Sequence, residues 1–242
     1  MTMPRFRPPQ QHRSQETLDR ILDAAESVLE TKSFSEATLV EIMERAGVTV
    51  GAFYRRFPDK DALLHLMDER FFAELYARGD AVLDPARWPL ADAGPENGEI
   101  PRADTSGTSS TSTFGTSIAR VIGEFTREAV GIYRARRGLL RSLFLRARSD
   151  PVIAASARQV NAHLIGRLRA VLMPRATEIR HPDPAYAIEL GYMVLVGALR
   201  ETTLFDDVWP ERDASREVDL AAELTRVYVN YLGIRDPGPA TA

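Results

Sequence analysis

Apolar residues recur every three to four positions along most of the chain, and strict alternation of apolar and polar residues is absent over strand-like lengths. This period is that of amphipathic helices, so the sequence predicts an all-α fold, with no strand and no β-hairpin. Capping residues, glycines and prolines set the expected helix ends. The predicted helices span residues 14–31, 38–46, 49–57, 59–78, 116–136, 137–148, 151–172, 184–205 and 214–232.

One stretch, residues 84–115, interrupts this pattern. It contains four prolines and a run rich in serine and threonine, with no apolar period and little bulk to bury. It is predicted to be a long flexible insertion, whose start Trp88 and Leu90 hold in place. Neither of its Gly-Thr segments has the spacing or the lysine of a phosphate-binding loop.

Residues 38–60 combine local signals for two short helices joined by a tight turn. Thr38 and Glu41 have the spacing of a capping box, and Gly47 can adopt the left-handed conformation that ends a helix. Thr49 is the expected cap of the second helix, in which Phe53 and Phe57 are four residues apart and point inward. Pro58 ends that helix, and Asp59 is predicted to cap a long one. The pattern is that of a helix-turn-helix.

The second of these helices leaves an aromatic and two basic residues for its other faces. Tyr54 beside Arg55 and Arg56 has little structural reason to be on a short exposed helix, although two arginines can also form an ordinary solvated face. Contact with DNA is the interpretation that explains all three residues.

The sequence of this segment closely resembles the N-terminal domain of TetR-family transcriptional repressors over about residues 14–65. The resemblance implies a DNA-binding domain in residues 1–60, acting as part of a homodimer, and a helical remainder, residues 61–242, that binds a small-molecule inducer. By the same resemblance Thr38, Tyr54 and Lys60 contact phosphates, and the residues nearest the bases are Thr49, Val50, Ala52 and Arg55. Val50 differs from many members of that family, which have a longer polar or basic residue at this position. Its side chain offers only an apolar contact, such as one to a thymine methyl group.

Residues 185–199 form the most apolar segment of the chain, interrupted only by Glu189, and are too short to favour a membrane span. A helix that is apolar on nearly all sides needs protein around it. The family resemblance implies that helices 184–205 and 214–232 pair with their symmetry mates in a homodimer; burial of both helices within a monomer is the alternative.

The helical remainder is rich in aromatic residues and can enclose an apolar cavity for an inducer. An apolar or aromatic ligand is expected, with an anionic group possible because residues 120–148 are rich in arginine; a solvated face with ion pairs also explains those arginines. The candidate ligand-binding residues are Phe125, Phe144, Asn161, His163, Tyr186 and Met193.

Composition narrows the remaining possibilities. The 242 residues carry 31 basic and 34 acidic side chains, so DNA binding must come from a local patch rather than from net charge. The N-terminus is basic and proline-containing, which suits either an arm along DNA or a disordered tail. The absence of cysteine suits a cytoplasmic protein, and no catalytic residues, metal site or cofactor motif are predicted. The alternative to a regulator is a helical carrier or enzyme with a vestigial helix-turn-helix.

Overall fold

The computed structural model describes residues 10–90, 118–205, 208 and 219–234, with side chains from residue 14 onward. Within these residues the secondary structure is helical, so the predicted all-α fold is confirmed. Short 3-10 turns occur at Pro85–Arg87 and Met173–Glu178. The helices are α1 (Gln10–Leu29), α2 (Leu39–Ala46), α3 (Val50–Tyr54), α4 (Lys60–Val82), α5 (Ile118–Ala135), α6 (Arg137–Arg146), α7 (Pro151–Leu172), α8 (Pro184–Leu204) and α9 (Leu220–Tyr231).

Four predicted helix ends are wrong. Helix α3 ends at Tyr54, whereas the sequence predicts that it continues to Phe57 and is ended by Pro58. Helix α1 begins at Gln10 rather than at Ser14, so Ser14 lies inside the helix instead of capping it. Helix α4 continues past Arg78 to Val82, because its last apolar turn leads into the fully buried Leu83. Helix α9 begins at Leu220, where the Asp219 carboxylate accepts hydrogen bonds from the backbone N–H groups of residues 221 and 222, at 3.0 and 3.2 Å.

The chain divides into two compact units. The first unit comprises residues 1–75, 132–161 and 202–206, and the second comprises residues 76–131, 162–201 and 207–242. Helices α4, α5, α7 and α8 each contribute residues to both units. The units therefore follow packing rather than order in the chain. The division of the chain into a DNA-binding part, residues 1–60, and a ligand-binding part, residues 61–242, stays a prediction.

The core of the first unit joins α1, α2, α3 and the start of α4 with α6. Ile21, Ile42, Phe53 and Leu63 are at most 1% exposed within it. At Gly138, a Cβ atom would lie 2.2 Å from the Leu29 carbonyl oxygen, so the start of α6 meets the end of α1 only because residue 138 lacks a side chain.

A charge network spans the same unit. The Arg136 guanidinium pairs with Glu26 of α1 and lies 3.0 Å from the Glu74 carboxylate of α4. Arg70 of α4 pairs with Asp23 at 2.6 Å and with Glu26 at 3.0 Å. Glu26 is thus shared by two arginines, which tie α1 and α4 to the junction of α5 and α6.

The second unit fixes the start of the predicted insertion. Trp88 is buried, as expected, and its indole N–H donates to the Val82 carbonyl at 2.7 Å. The buried Arg175 guanidinium donates to the carbonyls of residues 88 and 89, at 2.7 and 2.8 Å. The prediction that Leu90 also anchors this segment is wrong, since its side chain is 53% exposed. The rest of the predicted insertion, from residue 91, lies outside the described residues, as do residues 1–9 of the predicted N-terminal arm.

Asp68 is an acidic residue inside the first unit, 2% exposed, and its Oδ1 has no hydrogen-bond partner among the described residues. Burial raises the pKa of Asp68 from 3.8 to about 6; the nearby Asp150 acts in the same direction, whereas a hydrogen bond with Ser156 and the field of His65 oppose the rise. The Ser156 hydroxyl itself donates to the Val152 carbonyl at 3.2 Å. A protonated Asp68 can donate to that hydroxyl without disturbing it, so the neutral acid fits this site better than the carboxylate.

We therefore expect the Asp68 carboxyl to make stability depend on pH. Since its folded pKa of about 6 exceeds 3.8, the folded protein binds more protons than the unfolded chain between those values, and this contribution to the unfolding free energy falls as pH rises through that window. Asp68→Asn removes the ionisable group, and should be about 1 to 3 kcal/mol more stable than the parent at pH 7.5 but not at pH 4. Urea unfolding at a series of pH values measures this difference.

Glu69→Gln, on the exposed side of the same helix, is the matched control and should follow the parent. A difference between Asp68→Asn and the parent that stays constant with pH would contradict the role of this carboxyl.

Candidate nucleic-acid interface

Helix α2 begins at a side-chain cap, as the sequence predicts. Thr38 has an extended backbone, and its hydroxyl oxygen accepts a hydrogen bond from the Glu41 N–H at 3.2 Å. The Glu41 carboxylate in turn pairs with the Lys32 ammonium at 2.8 Å. The Lys32 ammonium, and to a smaller extent the Thr38 backbone N–H, hold the pKa of Glu41 below its ordinary value. The Thr38 hydroxyl therefore caps α2 as predicted, and Lys32 is a partner of Glu41 that local spacing did not indicate.

The turn between α2 and α3 depends on one glycine. Gly47 has φ 66° and ψ 36°, in the left-handed region, and its N–H donates to the Glu44 carbonyl at 3.1 Å. A Cβ atom here would have room, with the Arg20 guanidinium 3.8 Å away, so the backbone angle is what favours glycine. Thr49 then caps α3, accepting from the Ala52 N–H at 3.2 Å.

The inward face of α3 is aromatic. Phe53 is fully buried and stacks on Phe57, with ring centroids 4.9 Å apart. Ala52, which the family resemblance puts among the residues nearest the bases, is also buried, at 8% exposure. On this five-residue helix, Ala52 and Phe53 are the two buried residues.

The outward face of α3 carries the remaining predicted contact residues. Tyr54 is 57% exposed, and its ring is nearly perpendicular to the Phe53 ring, at a centroid distance of 5.3 Å. Arg55 and Thr49 are exposed, and Val50 is half-buried. Among the described residues, no hydrogen bond or ion pair engages the Arg55 side chain. The structure thus brings Thr49, Val50, Tyr54 and Arg55 together on one short, capped helix.

Arg56, by contrast, is used inside the domain. Its guanidinium donates to the Ala52 carbonyl at 3.3 Å and to the Ser14 hydroxyl at 3.4 Å. Two adjacent arginines with the same sequence signal therefore have different roles, because Arg56 can reach α1 from the turn that follows α3.

Lys60, predicted to contact a phosphate, is also engaged within the chain. Its ammonium donates to the carbonyls of Phe34 and Ala37 and lies 4.3 Å from the centroid of the Phe34 ring. Burial lowers the pKa of Lys60, and the neighbouring Asp61 opposes that effect. These contacts tie the start of α4 to the loop before Thr38 and leave one of three ammonium N–H bonds for an external acceptor.

The six candidate ligand-binding residues are distributed over both units. In the first unit, Phe144 lies 6.0 Å from Tyr133 between ring centroids, and Asn161 is half-buried. In the second, Phe125 is buried near Tyr192, and His163 Nε2 lies 2.8 Å from the Asp80 carboxylate. The other two, Tyr186 and Met193, are 53% and 60% exposed on α8.

Ion pairs account for several arginines of the stretch 120–148. Arg120 lies 3.6 Å from the Glu124 carboxylate, Arg146 pairs with Asp61, and Arg136 belongs to the network described above. These contacts support the interpretation as a charged helical face over that of an anion site.

Helices α8 and α9 border an apolar groove of about 120 Å³ in the second unit. Its floor depends on Gly191, where a Cβ atom would lie 1.9 Å from the Tyr228 ring. The Tyr228 hydroxyl donates to the Ile188 carbonyl at 2.5 Å, which locks α9 onto α8. The groove is lined by Leu190, Gly191, Val194, Leu195, Leu224, Val227, Tyr228 and Tyr231.

Two negative findings apply to the part of the chain that the structure describes. No helix there is both long and apolar enough to cross a membrane. No cluster of three or more histidine and acidic side chains there has a geometry that would hold a metal ion.

Comparison with known proteins agrees with this geometry. Residues 21–67 match the model of the bacterial regulatory proteins of the tetR family. No curated protein is significantly similar to the chain in sequence.

Solved structures resemble nearly the whole chain. A regulatory protein of the tetR family from Rhodococcus RHA1 aligns with a TM-score of 0.62 and 16% identity over 91% of this chain and 98% of that one. A TetR transcription regulator from Haloarcula marismortui gives a TM-score of 0.62 and 13% identity over 90% and 97%. GusR of Salmonella enterica gives a TM-score of 0.56 and 19% identity over 90% and 95%. At these identities the likeness establishes a shared fold.

Proposed function

We propose that this chain belongs to the TetR family of bacterial regulatory proteins, whose model residues 21–67 match, and that it is a transcriptional repressor. In this proposal it binds a palindromic operator as a homodimer and leaves the operator when a small apolar or aromatic ligand binds. The observation that carries the proposal is α3, a capped helix that buries Phe53 and presents Tyr54 and Arg55 outward. Such a regulator acts in the cytoplasm, which the absence of cysteine suits.

In this proposal α3 enters the major groove. Arg55 is the group best suited to a base, since its guanidinium can donate two hydrogen bonds to guanine O6 and N7. Thr49 and Val50 lie at the start of the same helix and contact neighbouring base edges. Tyr54 and Thr38 donate to phosphates and set the register without reading sequence.

Homodimerisation is supported by the groove of α8 and α9. Tyr186, Met193, Val194 and Val227 are large apolar or aromatic side chains, each between 46% and 60% exposed, on these two helices. Contiguous exposed apolar surface of this kind marks an interaction site, and a second copy of the same helices covers it in a closed, two-fold arrangement. A dimer presents two recognition helices about 34 Å apart, one turn of B-DNA, which requires a palindromic site.

Ligand response is supported by the second unit and by α4. The second unit buries aromatic residues such as Phe125 and Tyr192, and α4 is a single helix that starts at Lys60, directly after the helix-turn-helix, and ends at Val82. A ligand that favours one conformation of the dimer shifts the equilibrium between two spacings of the recognition helices. The free energy of that shift can be no larger than the difference between the ligand's binding free energies for the two conformations.

Arg55→Ala tests base reading. We expect the cognate duplex to lose about 1 to 3 kcal/mol of binding free energy while a random duplex changes little, because a base contact and not a phosphate contact is removed. Fluorescence anisotropy at fixed salt on a duplex selected by the parent protein from a random pool measures both affinities.

Two further variants serve as comparisons for the Arg55→Ala binding measurement. Lys60→Met should lower the midpoint of unfolding and weaken both duplexes alike, since its ammonium holds the loop before Thr38. Arg158→Ala, at an exposed arginine of α7, should change neither affinity. An Arg55→Ala protein with unchanged preference for the selected duplex would show that Arg55 reads no base. Failure of the parent to select any duplex would instead favour the carrier or enzyme alternative.

Val194→Glu tests the dimer. Val194 is 46% exposed in the groove, so a charge there should leave the monomer folded but prevent pairing, with loss of binding to a palindromic duplex. Leu195 is a poorer probe because it is 2% exposed and belongs to the core of the unit itself. Val152→Glu, at a valine of α7 with 52% exposure, is the matched control. Sedimentation showing that the Val194→Glu protein is still a dimer would place the interface elsewhere.

Ligand control is tested by screening apolar and aromatic compounds for a rise in the midpoint of unfolding, and then for loss of affinity for the selected duplex. Linkage requires that a compound which weakens DNA binding by some factor is itself bound more weakly, by the same factor, in the presence of DNA. Compounds that stabilise the protein but leave its affinity for DNA unchanged would show that the second unit serves dimerisation and does not control DNA binding.

A further inference from the structure

Gly51, in the first turn of α3, is a glycine that the fold itself does not require. Among the described residues, the glycines with positive φ are Gly47 and Gly233, so the backbone of Gly51 is accessible to any residue. A Cβ atom added at Gly51 would have the Thr49 hydroxyl oxygen as its nearest neighbour at 3.9 Å, an ordinary contact. Gly138 and Gly191 differ, because a Cβ atom there would overlap other atoms at 2.2 and 1.9 Å.

Glycine is also unfavourable in a helix relative to alanine, since its backbone loses more conformational freedom on folding. In α3 this penalty falls on a helix of only five residues, which has few hydrogen bonds of its own. Neither backbone angle nor internal packing compensates for it. The fold therefore does not account for this glycine, and the same holds for Gly166 of α7; the side chains around Gly51 are what distinguish the two positions.

The side chains around Gly51 indicate which kind of ligand would contact this position. Residues three and four positions apart on a helix are neighbours on one face, so Gly51 shares its face with Tyr54 and Arg55. Tyr54 is 57% exposed, and the Arg55 side chain is exposed and unengaged among the described residues. Two long side chains and a position with none leave a depression, the Gly51 notch, bounded by Tyr54 and Arg55 and exposed to solvent.

We infer that the Gly51 notch receives base edges of the operator, so that Gly51 is a specificity-determining position at which the absence of a side chain lets the duplex reach the backbone of α3. This rests on the proposed function, since α3 must first lie in the major groove. Within the groove, Arg55 then reaches its base only when the helix is seated to the depth that Gly51 permits. A methyl group at residue 51 holds the helix away from the bases and lengthens the contacts of its neighbours.

The test is Gly51→Ala, measured for stability and for binding to a duplex that the parent selects from a random pool. We expect the midpoint of unfolding to stay the same or to rise by up to about 2 °C, because alanine is the better helix former. We expect affinity for the selected duplex to fall at least about tenfold, and affinity for a random duplex to change less than about twofold, because only base contact is lost. Gly51→Leu should weaken the selected duplex further.

Gly166→Ala is the matched control: Gly166 is exposed in α7, and no atom lies within 4 Å of its added Cβ. That variant should be as stable as the parent or more so, with unchanged affinity for both duplexes.

Each other result overturns the inference. A lower midpoint of unfolding for Gly51→Ala would show that the fold needs the glycine. Unchanged binding would show that nothing approaches the notch, and equal losses on both duplexes would show that the approaching group is the sugar–phosphate backbone. If the parent selects no duplex at all, the proposed function itself fails; if it does, any failure of Gly51→Ala concerns the notch alone.

Discussion

The burial of Phe53 is the interaction on which the candidate interface depends. Helix α3 has five residues, and an isolated helix of that length is unstable in water. It is held by the fully buried Phe53 ring, which stacks on Phe57, and by the Thr49 cap. Because one side of the helix is fixed this firmly, Tyr54 and Arg55 have a defined direction away from the core, and a small exposed surface becomes a specific one.

Much of this arrangement could be predicted from the sequence because the signals are local. The caps at Thr38 and Thr49 and the left-handed Gly47 each act within four residues, and all three are found where they were expected. The buried aromatic pair follows equally from a spacing of four. Ala52 shows the limit of such reasoning, because on a helix this short the boundary between faces is set by the neighbouring helices, and periodicity does not resolve it.

Contacts between residues far apart in the chain could not be predicted. Nothing near Lys60 indicates that its ammonium binds the carbonyls of Phe34 and Ala37, and nothing distinguishes Arg56, which reaches Ser14, from the adjacent Arg55. The groove of α8 and α9 has the same character, since it depends on the Tyr228 ring crossing Gly191. Local pattern therefore predicted which helices form, whereas tertiary structure decides which cations remain available and where apolar surface stays uncovered.

The charge network at Arg136 has a consequence for how this sequence can vary. Glu26 is shared between Arg136 and Arg70, and Arg136 also meets Glu74, so each side chain is placed by more than one partner. Residues in one network do not contribute independently, and the effect of replacing one depends on which others are present. In evolutionary terms these positions are epistatic: a substitution at Arg136 that harms this chain can be neutral in a relative that has already lost Glu26, so the residues that join α1 and α4 to α6 change together or not at all.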